Sequence, residues 1–159
     1  MGWVRLIPGA PGERGSGAHP RVGWRAVLDA RQAPRGAGAC IHLHVGWFNE
    51  TLPPFLDDQL ATGRRMVAFM NMDADLYVST IAVFDAVFSR CMHRNGTVIS
   101  FDELFGTHQI LAHEWRALTE AARRYHFSFR FISFARTPRS RFARASVQID
   151  SCSMQCPQC

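Results

Sequence analysis

The sequence predicts an α/β fold in which buried strands alternate with an amphipathic helix. Residues 66–72 and 97–101 are short apolar runs, typical of strands that are buried on both faces. Between them, residues 79–94 carry apolar side chains at helical spacing, and Asn95 and Gly96 supply a stop for that helix. A strand, a helix and a second strand in this order predict a parallel pair within one sheet.

Both predicted strands are followed directly by acidic residues. Asp73 and Asp75 follow the first strand, and Asp102 and Glu103 follow the second. Ligands bind at the carboxyl edge of open α/β sheets, so the sequence predicts a functional site at this edge. The alternative is that Asp75 and Asp102 cap the helices that come after them. Two acidic clusters at two adjacent strand ends favour the functional role.

The other predicted elements flank this strand–helix–strand unit. Apolar patterning predicts a strand over residues 41–47, helices over 51–62 and 107–125, and strands over 127–134 and 145–149. The last two strands are expected to form a hairpin at the end of the sheet. The aromatic residues of the first hairpin strand are interpreted as core, with a base-stacking surface as the alternative.

The two ends of the chain differ in composition from the predicted domain. Residues 1–39 are rich in Gly, Pro, Arg and Ala, and are expected to be largely irregular. Residues 40–150 form the predicted domain, and residues 151–159 form a Cys-rich tail. No G-x-G-x-x-G fingerprint follows a predicted strand in the first segment, because Gly36 and Gly38 precede one instead.

Composition excludes several classes of partner. The net charge is +5, yet all 18 basic residues are arginines and they are scattered, which argues against a nucleic-acid surface. No apolar run approaches the roughly 18 residues of a membrane span, and the first residues lack the apolar stretch of a signal peptide. We therefore expect a cytoplasmic protein that binds neither nucleic acid nor membrane.

Histidines and cysteines supply weaker candidates for metal binding. His42 and His44 share one face of a predicted strand, where surface or packing roles are more common than ligation. Cys152, Cys156 and Cys159 have the C-x3-C-x2-C spacing of iron–sulfur motifs, but an exposed tail is the preferred interpretation. The total of five cysteines is odd, which argues against a disulfide framework.

Four ordered motifs carry a resemblance to a known family. They are HVGWFNETLP (residues 44–53), MDADLYVST (72–80), GTVISFDE (96–103) and HEWRA (113–117). Together they resemble the macrocin O-methyltransferase (TylF) family of S-adenosylmethionine-dependent methyltransferases, over about residues 41–150. This resemblance implies a Rossmann-like class I methyltransferase sheet with the strand order 3-2-1-4-5-7-6, ending in an antiparallel hairpin.

The resemblance also implies a site and a reaction. Asp73, Asp102 and Glu103 match the family's metal-ligand positions, which implies Mg²⁺, and Asp75 matches the position of the general base. The family usually has two aspartates where this chain has Asp102 and Glu103. The implied reaction is S-adenosylmethionine-dependent methylation of a hydroxyl on a small molecule, such as a sugar or natural product.

The first part of the chain departs from the family. Its first two strands and the glycine turn between them, which bind S-adenosylmethionine, should lie before Gly36, where residues 1–35 show no resemblance. The sheet is therefore expected to be truncated at its cofactor-binding end. The alternatives are a non-catalytic fragment or pseudoenzyme that acts as an interaction module, and an unrelated metal- or nucleic-acid-binding α/β module.

The missing strands lead to a prediction about the sheet edge. We expect residues 41–47 to pair directly with residues 66–72, because that apolar strand would otherwise leave an edge unpaired. The competing arrangement fills the gap with residues 3–7, residues 22–28 or a second chain. If a second copy of the chain fills the gap, the protein is a homo-oligomer.

Overall fold

The described part of the chain forms one mixed sheet with helices beside it. The computed structural model describes residues 44–63, 66–106, 110–136 and 143–152. The elements are α1 (Phe48–Ala61), β1 (Phe69–Met72), α2 (Tyr77–Phe88), β2 (Val98–Phe105), a short 3-10 helix (Ile110–Ala112), α3 (Glu114–Arg124), β3 (Ser128–Arg136) and β4 (Ala143–Ser151). The predicted α/β class is confirmed.

The strand order is β1-β2-β4-β3. β1 and β2 are parallel, whereas β4 is antiparallel to both β2 and β3. This arrangement agrees with the last four strands of the 3-2-1-4-5-7-6 order, including the predicted hairpin at the end. In order and direction, the described sheet therefore matches part of a class I methyltransferase sheet.

The predicted strand over residues 41–47 is wrong in the part that the structure describes. Residues 44–47 are not in a strand, and residues 41–43 lie outside the described ranges. Gly46 has a φ of 152°, and a Cβ at this position would lie 2.5 Å from Cγ2 of Thr51. The chain turns here into α1, so β1 pairs with β2 alone among the described strands.

α2 ends earlier than predicted, whereas α3 begins later than predicted, at Glu114 rather than at residue 107. Each helix is followed by a left-handed residue. After α2, Cys91 has a φ of 52°, and the amide of Met92 donates to the carbonyl of Val87 over 3.2 Å. After α3, His126 has a φ of 53°, and the amide of Phe127 donates to the carbonyl of Ala122 over 3.1 Å. These are Schellman endings, in which a cysteine and a histidine stand where glycine is usual.

The start of α1 and the length of β2 also differ from the sequence prediction. α1 begins at Phe48 rather than at residue 51, because the carbonyl of Trp47 accepts the amide of Thr51 over 2.9 Å. β2 continues to Phe105, where it pairs with Ala143 of β4 beyond an irregular stretch. Asp102 and Glu103, predicted to follow the strand, therefore lie within it. None of the described helices is long and apolar enough to cross a membrane.

The two faces of the sheet have different chemistry. On one face, the ring of Phe84 in α2 meets that of Phe101 edge-on, and Trp115 of α3 stacks on Phe131. On the other face, the hydroxyl of Ser146 donates to that of Ser100 over 3.1 Å. Antiparallel sheets commonly keep one face polar in this way, and the apolar core lies between the sheet and its helices.

Thr97 fixes how the parallel pair begins. Its buried hydroxyl donates to the carbonyl of Val67 over 2.8 Å and accepts the amide of Arg94 over 3.0 Å. The amide of Val98 then donates to the carbonyl of Ala68. One threonine therefore joins the approach to β1 with the turn that leads into β2.

Cys91 and Cys152 are both disulfide-bonded. The odd number of cysteines had argued against a disulfide framework, so this expectation is wrong for these two residues. The sulfur of Cys152 also lies 3.3 Å from the side-chain oxygen of Asn95. The tail residues Cys156 and Cys159 lie outside the described ranges.

His93 is a buried titratable group in the aromatic core. It is 0% exposed, and its ring meets that of Phe88 edge-on with centroids 4.7 Å apart. Burial lowers the pKa of His93. In the unfolded chain, a histidine has an ordinary pKa of about 6.5 and takes up a proton more readily. The stability contributed by neutral His93 is therefore lost as the pH falls below that value.

We predict that, as the pH falls from about 7.5 to about 5.5, the lowered pKa of His93 reduces the free energy of unfolding by up to about 1.4 kcal/mol. His93→Phe should remove this part of the pH dependence, as measured by urea denaturation at both pH values. The control His126→Asn changes an exposed histidine to a residue that tolerates its left-handed backbone, and should keep the wild-type dependence. An equal loss of stability in wild type and His93→Phe would contradict the prediction.

Candidate active site at the acidic strand ends

The acidic loop, residues 73–76, connects β1 to α2 through a strained turn. Asp75 has a φ of 56°, and the amide of Leu76 donates to the carbonyl of Ala74 over 2.5 Å, which closes a three-residue turn around Asp75. Left-handed backbone is uncommon outside glycine, although aspartate tolerates it better than most residues. Ala74 is fully buried, whereas Asp75 is half-buried.

The parallel register brings the second acidic cluster beside this loop. Met72 is the register partner of Phe101, so Asp73 and Asp102 come next on their two strands. The negative charges of Asp75, Asp102 and Asp73 add to burial in raising the pKa of Glu103. The four carboxylates predicted from the sequence therefore lie near one another at one edge of the sheet.

The same carboxylates are not arranged as a metal centre. Within the described ranges, no group of three His, Cys, Asp or Glu side chains could hold a metal ion. Oδ1 of Asp102 forms an ion pair with Nε of Arg144, 2.6 Å away. As the described residues stand, the predicted ligands Asp73, Asp102 and Glu103 do not fit Mg²⁺.

Glu114 is a site residue that the sequence reasoning missed. Its side chain is 2% exposed, and Oε1 accepts the amide of Ala74 over 3.3 Å. Oε2 has no hydrogen-bond partner among the described residues. Burial raises the pKa of Glu114 to about 8, with a smaller contribution from the charges of Asp75, Asp73 and Glu103. Glu114 is therefore mostly a neutral carboxylic acid at pH 7.

A signal for Glu114 was present in the sequence. The buried residues of α3 are Ala117, Leu118 and Ala121, and Glu114 heads the same stripe at helical spacing. In the sequence analysis, the HEWRA motif contributes only to the family resemblance. A glutamate in line with an apolar stripe is unusual, because glutamate is almost never fully buried unless it is paired.

A second set of contacts joins α3 to the start of α2. Nδ1 of His113 accepts the amide of Tyr77 over 3.4 Å, and the hydroxyl of Tyr77 donates to Glu120 over 2.5 Å. The guanidinium of Arg116 lies 4.3 Å from the centre of the Tyr77 ring and also binds Glu120. Tyr77, the residue that follows the acidic loop, is therefore bound at its backbone by His113 and at its side chain by Glu120 and Arg116.

No protein-family model matches this chain, and no curated protein matches it. Among solved structures, it is similar to the apo structure of CalS11, described as a TDP-rhamnose 3′-O-methyltransferase in calicheamicin biosynthesis. The identity is 24% and the TM-score 0.47, over 68% of this chain and 42% of that one. A second structure of CalS11, described as a calicheamicin methyltransferase, gives 25% identity and a TM-score of 0.44, over 68% and 37%. The present chain thus spans less than half the length of these structures.

The raised pKa of Glu114 makes the folded state less stable as the pH rises. An unfolded glutamate has a pKa of 4.5, compared with about 8 in the fold, so the folded state holds the proton more tightly. The stability from this group is fully present below about pH 4.5 and is lost as the pH rises through 8. At pH 7 the loss is on the order of 3 kcal/mol.

We predict that Glu114→Gln is more stable than wild type at pH 7–8, because the amide keeps an oxygen for Ala74 and cannot ionise. The difference should close near pH 4.5, and denaturant unfolding across this range measures it. Glu120→Gln on the same helix is a control for which we expect the opposite change in stability, because hydrogen bonds from Tyr77 and Arg116 lower the pKa of Glu120. Glu120→Gln should lose stability at neutral pH. A Glu114→Gln protein less stable than wild type at pH 8 would contradict the assignment.

Proposed function

We propose that this chain carries the catalytic edge of an S-adenosylmethionine-dependent O-methyltransferase of the macrocin O-methyltransferase (TylF) type. The acceptor in this proposal is a hydroxyl of a small molecule, such as a sugar or natural product. The observation that carries the proposal is the agreement between the motifs and the sheet. MDADLYVST begins at the last residue of β1 and runs into α2, and GTVISFDE covers most of β2, so the acidic residues of both motifs share one edge of a sheet in the β1-β2-β4-β3 order.

In the proposed mechanism, Asp75 is the general base. S-adenosylmethionine, when bound, supplies a methyl group on a positively charged sulfur. With an acceptor hydroxyl beside it, the carboxylate of Asp75 would take the hydroxyl proton as the oxygen becomes methylated. Asp75 is half-buried, which leaves it accessible to an acceptor. Glu114 lies beneath the loop as a mostly neutral acid, so it adds little negative charge that would oppose the approach of a nucleophilic oxygen.

Binding of S-adenosylmethionine rests on the resemblance alone. The family elements that bind the cofactor correspond to positions before Gly36, which lie outside the described residues. No described residue is therefore assigned to the cofactor. The described residues contribute the base and the acidic edge, and the proposed mechanism uses only these.

Mg²⁺ assistance is proposed with a condition, because the ligands do not fit as they stand. Asp102 must leave Arg144 before it can join Asp73 and Glu103 around a cation. Arg144 is 71% exposed and Asp102 is 38% exposed, and ion pairs at such positions contribute roughly 0–1 kcal/mol. Mg²⁺ prefers carboxylate oxygens, so a cation could compete with the arginine. No catalytic step is assigned to the metal.

The alternative function is a non-catalytic interaction module. Phe134 on the edge strand β3 is 62% exposed, and Phe131 and Ile132 on the same strand are nearly half exposed. Exposed apolar side chains on an edge strand are typical of surfaces that pair with another chain. This reading needs neither the cofactor nor Asp75.

A methyl-transfer assay distinguishes the two functions. We expect transfer of a radiolabelled methyl group from S-adenosylmethionine to one of a panel of sugar and phenol acceptors. The assay uses about 1 mM cofactor, because residues 1–35 do not resemble the family's cofactor-binding strands and binding is expected to be weak. Asp75→Asn should lower the rate by at least about 100-fold, since a positioned base contributes that much. Asp58→Asn, at an exposed carboxylate on α1, should leave the rate unchanged.

The affinity for the cofactor is measured separately by calorimetry, with an expected Kd above the micromolar range. Absence of cofactor binding even at about 1 mM, with no transfer to any acceptor, would favour the interaction module. An Asp75→Asn protein with full activity would remove the base assignment.

For Mg²⁺, we predict that Arg144→Ala exposes a cation site that wild type keeps closed. A cation at about ten times its Kd stabilises by about 1.4 kcal/mol, so millimolar Mg²⁺ should raise the Tm of Arg144→Ala by about 3 °C more than that of wild type. Arg130→Ala, which removes a similar ion pair to Asp150, is the matched control and should behave like wild type. If adding Asp73→Asn to Arg144→Ala leaves the rise intact, the ligand set is wrong.

A further inference from the structure

His113, the residue before α3, and Glu114, its first residue, contact the chain on the two sides of Asp75. Oε1 of Glu114 accepts the amide of Ala74, and Nδ1 of His113 accepts the amide of Tyr77. Ala74 directly precedes Asp75, and Tyr77 follows it by two positions. We call these two contacts the α3 tether.

Both amides need a partner from outside their own element. Tyr77 is the first residue of α2, and the first amides of a helix have no acceptor within it. Ala74 is fully buried in the loop, and a buried amide without an acceptor costs roughly 1–3 kcal/mol. Because His113 and Glu114 are adjacent, one helix start satisfies both donors.

The tether encloses the strained part of the loop. Asp75 has a φ of 56°, and the three-residue turn from Ala74 to Leu76 spans it. Such a conformation costs of order 1–3 kcal/mol and persists only where the surroundings fix it. The contacts with His113 and Glu114 on the two sides of Asp75 oppose relaxation of this turn.

We propose that His113 and Glu114 are positioning residues that hold the acidic loop in its left-handed turn and thereby set the direction of the Asp75 carboxylate. The reason for positioning Asp75 rests on the proposed function, whereas the tether itself does not. The proposal also makes α3 part of the site, because a shift of its first turn would move the loop. A purely structural role would instead spread the effect of substitution over the whole fold.

Amide hydrogen exchange, followed by NMR on the full chain, tests the tether without requiring activity. Glu114→Leu removes the acceptor and should speed exchange at Ala74 by about tenfold or more, as expected when a hydrogen bond is lost locally. Glu114→Gln keeps an oxygen at the same point and should restore exchange to within about threefold of wild type. The amide of Val98, bonded to Ala68 in the sheet, is the internal reference and should change by less than about twofold.

Two further variants keep the test decisive. His113→Leu should speed exchange at Tyr77 and spare the sheet amides, and His113 is only half-buried, so this variant avoids the deep burial of Glu114. Glu103→Gln removes a negative charge at the same edge without removing a contact of the tether, and should leave exchange at Ala74 unchanged.

Some outcomes would overturn the proposal. One is unchanged exchange at Ala74 in Glu114→Leu, or at Tyr77 in His113→Leu. Another is equal acceleration at Val98, which would indicate a general loss of stability. A third is equal behaviour of Glu114→Gln and Glu114→Leu. The proposed function fails separately, through absence of cofactor binding or methyl transfer, and that result would leave the exchange measurements standing.

Discussion

The candidate site depends on the parallel register between β1 and β2. Met72 is paired with Phe101, and this pairing makes Asp73 and Asp102 the next residues on two adjacent strands. A shift of one residue would turn every side chain of β1 to the other face of the sheet. Thr97 supports the register from the opposite end, because its buried hydroxyl bonds to the segment before β1 and to the turn before β2. The acidic edge is therefore a consequence of strand pairing.

Several negative charges at one edge would repel one another unless the fold limits their number. Glu114 contributes to this limit, because it is buried close to the charges of Asp73, Asp75 and Glu103 and keeps its proton to about pH 8. In that state, its Oε1 still accepts the amide of Ala74. The fold thus gains a hydrogen bond beneath the loop without placing another full charge there, and it gives up stability as the pH rises.

The sequence predicted the pattern of elements better than their ends. The strand–helix–strand unit and the terminal hairpin follow from local periodicity, and the structure confirms them. The end of α2 was predicted too late, because Cys91 adopts a backbone conformation that normally indicates glycine. The role of Glu114 could not be derived from neighbours in sequence, because its contact with Ala74 spans 40 residues. Such contacts depend on how α3 packs, which local patterns do not encode.

The continuation of β2 changes what its two acidic residues can do. Asp102 and Glu103 were predicted to follow the strand as adjacent ligands, but both lie within the irregularly paired end of β2. Asp102 is held by Arg144 of the neighbouring strand, whereas Glu103 shares the electrostatic surroundings of Asp75 and Glu114. The irregular pairing between Phe101 and Phe105 falls on these two residues, and such irregularities are common beside active sites. The acidic edge therefore divides into a solvent-facing ion pair and a partly buried group beside the loop, and the proposed base belongs to the second.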